Sequence, residues 1–150
     1  MDLNQRARPA PRQGAGIDKE DGMTLTVQQL VAQAKSEVRN LSVDEVAQHL
    51  ESGDVRLVDI REPEEVARDG AIPGAVLAPR GMLEFWADPS SAYHRTEFDP
   101  NSRTILYCAS GGRSALAAQS LQLLGYTDVA HLDGGLKGWK QQGRPVTFQS

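Results

Sequence analysis

Thr104-Ile105-Leu106-Tyr107-Cys108-Ala109-Ser110-Gly111-Gly112-Arg113-Ser114 runs from an apolar stretch through a glycine pair into a helical pattern. Thr104 to Cys108 is short and rich in β-branched, aromatic and apolar residues, the composition of a buried strand. From Ser114 to Leu124 the pattern changes to helical spacing, with Ala117, Leu121 and Leu124 on one face and Gly125 closing the helix. Cys108 is therefore expected at the carboxyl end of a strand, facing the start of a helix. In open α/β sheets that edge is where ligands bind, because loops and helix N-termini converge there. Gly111 and Gly112 let the backbone curl so that its amides form a nest for an anion, and the helix N-terminus adds partial positive charge. Both features favour the thiolate form of a cysteine held among them.

Working outward, strands and helices alternate. Upstream, Val55 to Ile60 reads as a strand, followed by Glu62-Pro63-Glu64-Glu65, where proline suits the first helical turn and the acids complement the helix dipole. Ala75 to Ala78 and Val129 to Leu132 are further strand candidates, and a last helix ends at Gly143 and Pro145. Ser42 and Glu45 have the spacing of a capping box, with Leu41 and Val46 placed to close a hydrophobic staple over it; that helix ends near Gly53. Before it, Val27, Leu30, Val31, Ala34 and Val38 form one apolar stripe and predict a first helix. This order predicts an α/β fold with a central parallel sheet of four to five strands and helices on both faces.

The 150 residues, 39% hydrophobic and 24% charged, suit one domain with a single core. Residues 1–22 are poor in apolar side chains and predict a flexible tail, leaving one domain over 23–150. A net charge of −4 argues against a basic grip on nucleic acid. No stretch is apolar enough to span a bilayer, and the N-terminal segment lacks the apolar core of a secretory signal. A single cysteine cannot close an internal disulfide, so a reducing compartment, the cytoplasm by default, is expected.

A lone cysteine ending a buried strand is often an inert small hydrophobe. Here the glycine turn and Arg113 favour a functional reading, since a mere strand-to-helix connection has little use for so many anion-facing groups. His49, His94 and His131 lie in three separate segments, with no spacing that suggests a catalytic triad or a metal site.

Together these residues resemble the rhodanese family, whose active-site loop commonly reads Cys, two residues, Gly, one residue, Arg, Ser. Three further segments are similar to family motifs: Leu57-Val58-Asp59-Ile60-Arg61, Ile72-Pro73-Gly74-Ala75, and Leu132-Asp133-Gly134-Gly135 followed by Trp139. Four motifs in the family's order are far more specific than any one of them. Ala71 stands where the family usually has His. Ala109 stands where many members carry Arg, which leaves Arg113 as the main cationic side chain of the loop.

The resemblance implies a rhodanese-like sulfurtransferase of the thiosulfate:cyanide type. Cys108 would take sulfane sulfur from a small anionic donor such as thiosulfate or a persulfide, and pass it to cyanide, a thiol or a protein acceptor. Ala109, Ser110, Gly111, Gly112, Arg113 and Ser114 would bind the donor and the persulfide charge, with no cofactor or metal implied. Asp59 and Arg61 would brace the loop from the neighbouring strand, or simply form a strand-end ion pair. Gly134 and Gly135 are expected to shape a turn and Trp139 to pack in the core.

Residues 79–102 form a long connection holding four of the eight aromatics. Loops of this length are usually functional or disordered, and so many aromatics disfavour disorder. Phe85 and Trp86 are candidates for a wall over Cys108, or for packing a short helix onto the sheet. The main enzymatic alternative is a cysteine phosphatase or arsenate reductase. Such phosphatases place five residues between Cys and Arg, enough to ring a tetrahedral phosphate, whereas four lie between Cys108 and Arg113. A non-enzymatic sulfur carrier or binding module is the other alternative.

Overall fold

The computed structural model describes residues 24–148; the tail expected over 1–22 lies outside them. In chain order the elements are α1 (Val27–Glu37), β1 (Arg39–Leu41), α2 (Val43–Ser52), β2 (Arg56–Asp59), α3 (Pro63–Asp69), β3 (Val76–Leu77), α4 (Leu83–Ala87), β4 (Thr104–Tyr107), α5 (Gly112–Leu123), β5 (Val129–Leu132) and α6 (Gly135–Gln141). The five strands form one parallel sheet in the order β1-β5-β4-β2-β3.

Side chains alternate across this sheet as the pleat requires. Val58, Ile60, Leu106, Cys108 and Val129 share one core with Ala117, Ala118 and Leu121 of α5 and with Leu83 and Ala87 of α4. On the other face, Leu41, Leu57, Ile105, Tyr107, Ala130 and Leu132 pack with Val43, Val46 and Ala47 of α2 and with Leu136 and Trp139 of α6. Both faces are thus covered, and β4 is buried along its whole length.

Local signals account for several boundaries. Ser42 and Glu45 close their capping box, with Ser42 Oγ accepting from the Glu45 amide at 3.1 Å and Glu45 Oε1 from the Ser42 amide at 2.8 Å. Leu41 and Val46, the expected staple, are both buried in the same cluster. Thr26 and Gln29 cap α1 in the same way.

Two features differ from the sequence reading. β1 is an additional edge strand, three residues between two capped helices, too short for a period-two pattern to announce it. The stripe on α1 is only partly used: Ala34 is fully buried, while Val27 and Leu30 are exposed, because α1 packs on α5 through its C-terminal half.

The connection over 79–102 contains a 3-10 turn (Arg80–Met82) and α4, followed by tight turns. Leu83, Ala87 and Phe98 anchor it in the core. The Tyr126 hydroxyl donates to the Ala87 carbonyl at 2.8 Å, fixing the end of α4. Among the described residues no helix is long and apolar enough to cross a membrane.

Candidate functional site

Cys108 follows the last residue of β4, and the chain then turns through Ala109 to Gly111 into α5. Gly111 has φ +112°, and a Cβ there would lie 3.2 Å from the Gly134 amide nitrogen, so both conformation and space call for glycine. The turn aims two amides at the sulfur: Gly111 N–H donates to Sγ at 3.2 Å and Ser114 N–H at 3.4 Å. The first-turn amides of a helix have no acceptor within it, so the start of α5 adds its positive end to the same region. Cys108 is a free thiol and is 1% exposed.

The loop is held from behind by α6. Leu136 N–H donates to the Cys108 carbonyl at 2.9 Å and Lys137 N–H to the Ala109 carbonyl at 3.0 Å. With those carbonyls engaged on one side, the loop amides are left for the other. Gly135, at φ +60°, makes the approach feasible: a Cβ there would sit 2.5 Å from the Ala109 oxygen and 2.7 Å from the Cys108 oxygen. Trp139 lies in the core, with its indole N–H donating to the Pro145 carbonyl at 2.8 Å.

Asp59 and Arg61 form a buried pair beside the loop. Arg61 Nε and Nη2 donate to the two Asp59 oxygens at 3.0 and 2.6 Å, and Nη2 also reaches the Gly70 carbonyl at 2.7 Å. The Tyr107 hydroxyl donates to Asp59 Oδ2 at 2.7 Å and accepts from the Ile72 amide at 3.0 Å. Burial, together with the neighbouring Asp59 charge, pushes the Tyr107 hydroxyl far above its usual range, so it remains a donor. The pair thereby ties the end of β2 to β4 and to the Ile72 turn.

Arg113, in the loop expected to bind the donor, is held by an ion pair that the sequence did not disclose. Its Nη1 and Nη2 donate to the two Glu65 oxygens, each at 2.9 Å, tying α5 to α3. This hydrogen bonding holds the Glu65 carboxyl down to about 2, against some opposing desolvation. Other cations stand beside the loop. A cavity of about 230 Å³ opens at Ala109 and is lined by Arg61, Asp69, Ala109, Leu136, Lys137 and Lys140. Sequence reasoning missed the two lysines; their signal was a spacing of three residues, which puts them on one face of the last helix.

Phe85 and Trp86 do not line this cavity. Phe85 is 52% exposed and meets Tyr93 edge to face, with ring centroids 6.2 Å apart. Trp86 is partly buried against the core cluster that contains Cys108, and the Arg95 guanidinium lies 3.5 Å over its ring.

His131 is the residue whose place the sequence did not disclose. It is fully buried on β5, with Nδ1 2.9 Å from Ser114 Oγ and Nε2 2.6 Å from Asn40 Oδ1. Ser114 Oγ in turn lies 3.5 Å from Cys108 Sγ. Desolvation pulls the imidazole down to about 4. His49 and His94 lie elsewhere, His49 Nδ1 3.3 Å from Arg103 and His94 Nε2 3.0 Å from the Phe98 carbonyl.

Comparison with known proteins agrees with this geometry. The Rhodanese-like domain family matches residues 42–142. A sulfurtransferase of Allochromatium vinosum is 33% identical over 110 residues, covering 73% of this chain and 94% of that protein. A human single-domain sulfurtransferase superposes with a TM-score of 0.62 at 30% identity, covering 69% of this chain and 96% of that one. A Rhodopseudomonas palustris protein of unknown function, described as a possible tyrosine phosphatase, superposes with a TM-score of 0.79 at 41% identity, covering 83% of this chain and 96% of that one. The domain match, running from the capping box of α2 to the end of α6 and enclosing the cysteine loop, places the chain in the rhodanese-like sulfurtransferase family.

Proposed function

We propose that the chain transfers sulfane sulfur from an anionic donor, thiosulfate or a persulfide, to a thiophilic acceptor through a persulfide on Cys108. The observation that carries this reading is the pair of amides, from Gly111 and Ser114, donating to the Cys108 sulfur at a helix N-terminus. Such donors are fixed before reaction and stabilise negative charge on sulfur without reorganising.

In the first half-reaction the Cys108 thiolate attacks the outer sulfur of thiosulfate. The S–S bond of the donor breaks, sulfite leaves with its electron pair, and the outer sulfur remains on Cys108 as a persulfide. In the second, cyanide or a thiolate attacks that terminal sulfur, the bond to Cys108 breaks, and the cysteine thiolate is restored. The Ala109–Ser114 segment would hold the charge in both steps, while Lys137 and Lys140 would draw the anionic donor into the cavity beside Ala109. Asp59 and Arg61 would brace this region through β2. A protein acceptor fits the same chemistry, and a free thiol suits a reducing compartment such as the cytoplasm.

The possible tyrosine phosphatase among the structural neighbours favours one other reading, hydrolysis of a phosphate monoester on the same cysteine. Two features weigh against it: only four residues separate Cys108 from Arg113, and that arginine is engaged with Glu65 rather than free to ring a phosphate.

Intact mass spectrometry after thiosulfate treatment tests the proposal. One added sulfur atom is expected on the wild type and none on Cys108→Ala, with release of that sulfur on adding cyanide. Turnover of an aryl phosphate without sulfur loading would favour the phosphatase reading instead.

A further inference from the structure

Cys108 is 1% exposed, so solvent is not the nearest acceptor for its proton. The polar line behind the sulfur offers a closer one, and the hydrogen bonds fix its polarity. Asn40 Nδ2 donates to the carbonyls of Lys35 at 2.9 Å and Val38 at 3.1 Å, which turns Asn40 Oδ1 toward His131. An amide oxygen only accepts, so His131 Nε2 carries a proton and, in the neutral ring, Nδ1 is an acceptor. Ser114 Oγ–H donates to Nδ1 at 2.9 Å, the shorter of its two contacts to acceptors, the other being the Gly111 carbonyl at 3.4 Å, and presents its lone pairs to the Cys108 S–H. Every donor from the end of α1 to the sulfur is thereby oriented by two backbone carbonyls.

We infer that His131, acting through Ser114, is a positioning residue that takes up the Cys108 proton as the sulfur attacks and returns it afterwards. In the forward step the S–H bond breaks and leaves its electron pair on sulfur, Ser114 Oγ receives that proton, and the original hydroxyl proton passes to the lone pair of Nδ1. The result is a thiolate facing a serine O–H and an imidazolium that donates from Nδ1 to Ser114 and from Nε2 to Asn40. The pair carries no net charge, so it forms inside the core without bringing an uncompensated ion there. The reverse shift restores the thiol after sulfur has been handed on.

The groups facing His131 are compatible with this role. β4 sets apolar Leu106 beside it in register, β1 contributes Asn40 and α5 contributes Ser114. From α1, Lys35 pairs with Asp133, just beyond β5, at 3.1 Å, so these two charges largely cancel at the ring. Near the loop, Arg113 is matched by Glu65. The relay rests on reading Cys108 as the reacting thiol, but its test requires no sulfur donor.

The test is the pH dependence of Cys108 alkylation by a small neutral reagent, iodoacetamide, in the full chain. With an internal acceptor the wild-type rate holds level from about pH 7 down to about pH 5, because the reacting form is the neutral thiol–imidazole pair. In His131→Asn, whose amide can accept from Ser114 but cannot take a proton, and in Ser114→Ala, the rate is expected to fall ~tenfold per pH unit, as for a thiolate in equilibrium with solvent. Wild-type and His131→Asn profiles of the same slope overturn the inference. Should either variant fail to fold, the wild type alone decides: imidazole nitrogen NMR shifts at neutral pH should place the proton on Nε2 with Nδ1 bare, and a proton on Nδ1 overturns it. Failure of persulfide loading with a level alkylation profile would sink the sulfur-transfer reading and leave the relay standing.

Discussion

Among single residues, Asp59 and Arg61 show most clearly how burial turns an ordinary charge pair into a structural joint. Both are about 1% exposed, and Asp59 gathers bonds from the Arg61 guanidinium, the Arg61 amide and the Tyr107 hydroxyl. Removing one partner leaves the other charged and uncompensated in the core. Asp59→Ala is therefore expected to cost about 3–5 kcal/mol in urea unfolding. A loss under 1 kcal/mol would mean that water reaches Arg61 when its partner is removed. Tyr107 belongs to the same joint, because its hydroxyl also satisfies the buried Ile72 amide. Ala71, where the family resemblance led one to expect histidine, makes a two-bond antiparallel bridge with Thr147 through its backbone, so the C-terminal segment is fastened there whatever the side chain.

At the level of elements, the contact between the start of α6 and the cysteine loop controls the site. The turn at Gly134 and Gly135 brings the Leu136 and Lys137 amides onto the carbonyls of Cys108 and Ala109, and Gly135 lies too close to them for any side chain. Gly135→Ala would force the two backbones apart, besides straining a positive φ. A loss of about 1–3 kcal/mol in stability is expected, together with slower persulfide formation, measured by mass spectrometry over time. An alanine variant that loads sulfur at the wild-type rate would show that the loop holds its shape unaided. On the opposite flank, α4 and its aromatics pack outside the cavity, with Phe85 against Tyr93 and Trp86 beneath Arg95. Trp86 packs against the core cluster that contains Cys108.

For the whole molecule, His131 and Glu65 carry the largest shifts among the groups that titrate in the acid range. Burial lowers the His131 imidazole to about 4 from an ordinary 6.5, so between these values the unfolded chain binds more protons than the native one. Its contribution is complete above about pH 6.5 and is lost as pH falls toward 4, on the order of 3 kcal/mol in total. Glu65, held down to about 2 by Arg113, adds a second limb: stability present above about 4.5 and lost as pH falls toward 2. Urea unfolding at a series of pH values should show the first limb in the wild type and a flatter curve over that range in His131→Asn. Identical curves would mean that the buried imidazole titrates at its ordinary value in the native protein.

The alternation of strands and helices, the capped start of α2, and the place of Cys108 before a glycine turn and a helix were all legible in the amino-acid order. These are local matters, decided by residues within a few positions of one another. The four family motifs also pointed to the sulfurtransferase family that the comparisons show. Tertiary structure decided the rest, because it depends on pairing across the sheet. Only the fold could show that Arg113 meets Glu65, 48 residues away, or that Lys137 and Lys140 reach the cavity at Ala109. Asn40, Ser114 and His131 come from three elements and carry no common spacing. They meet because β1 and α5 both pack against β5, and a hydrogen-bonded line through a core is legible only once its strands are in register.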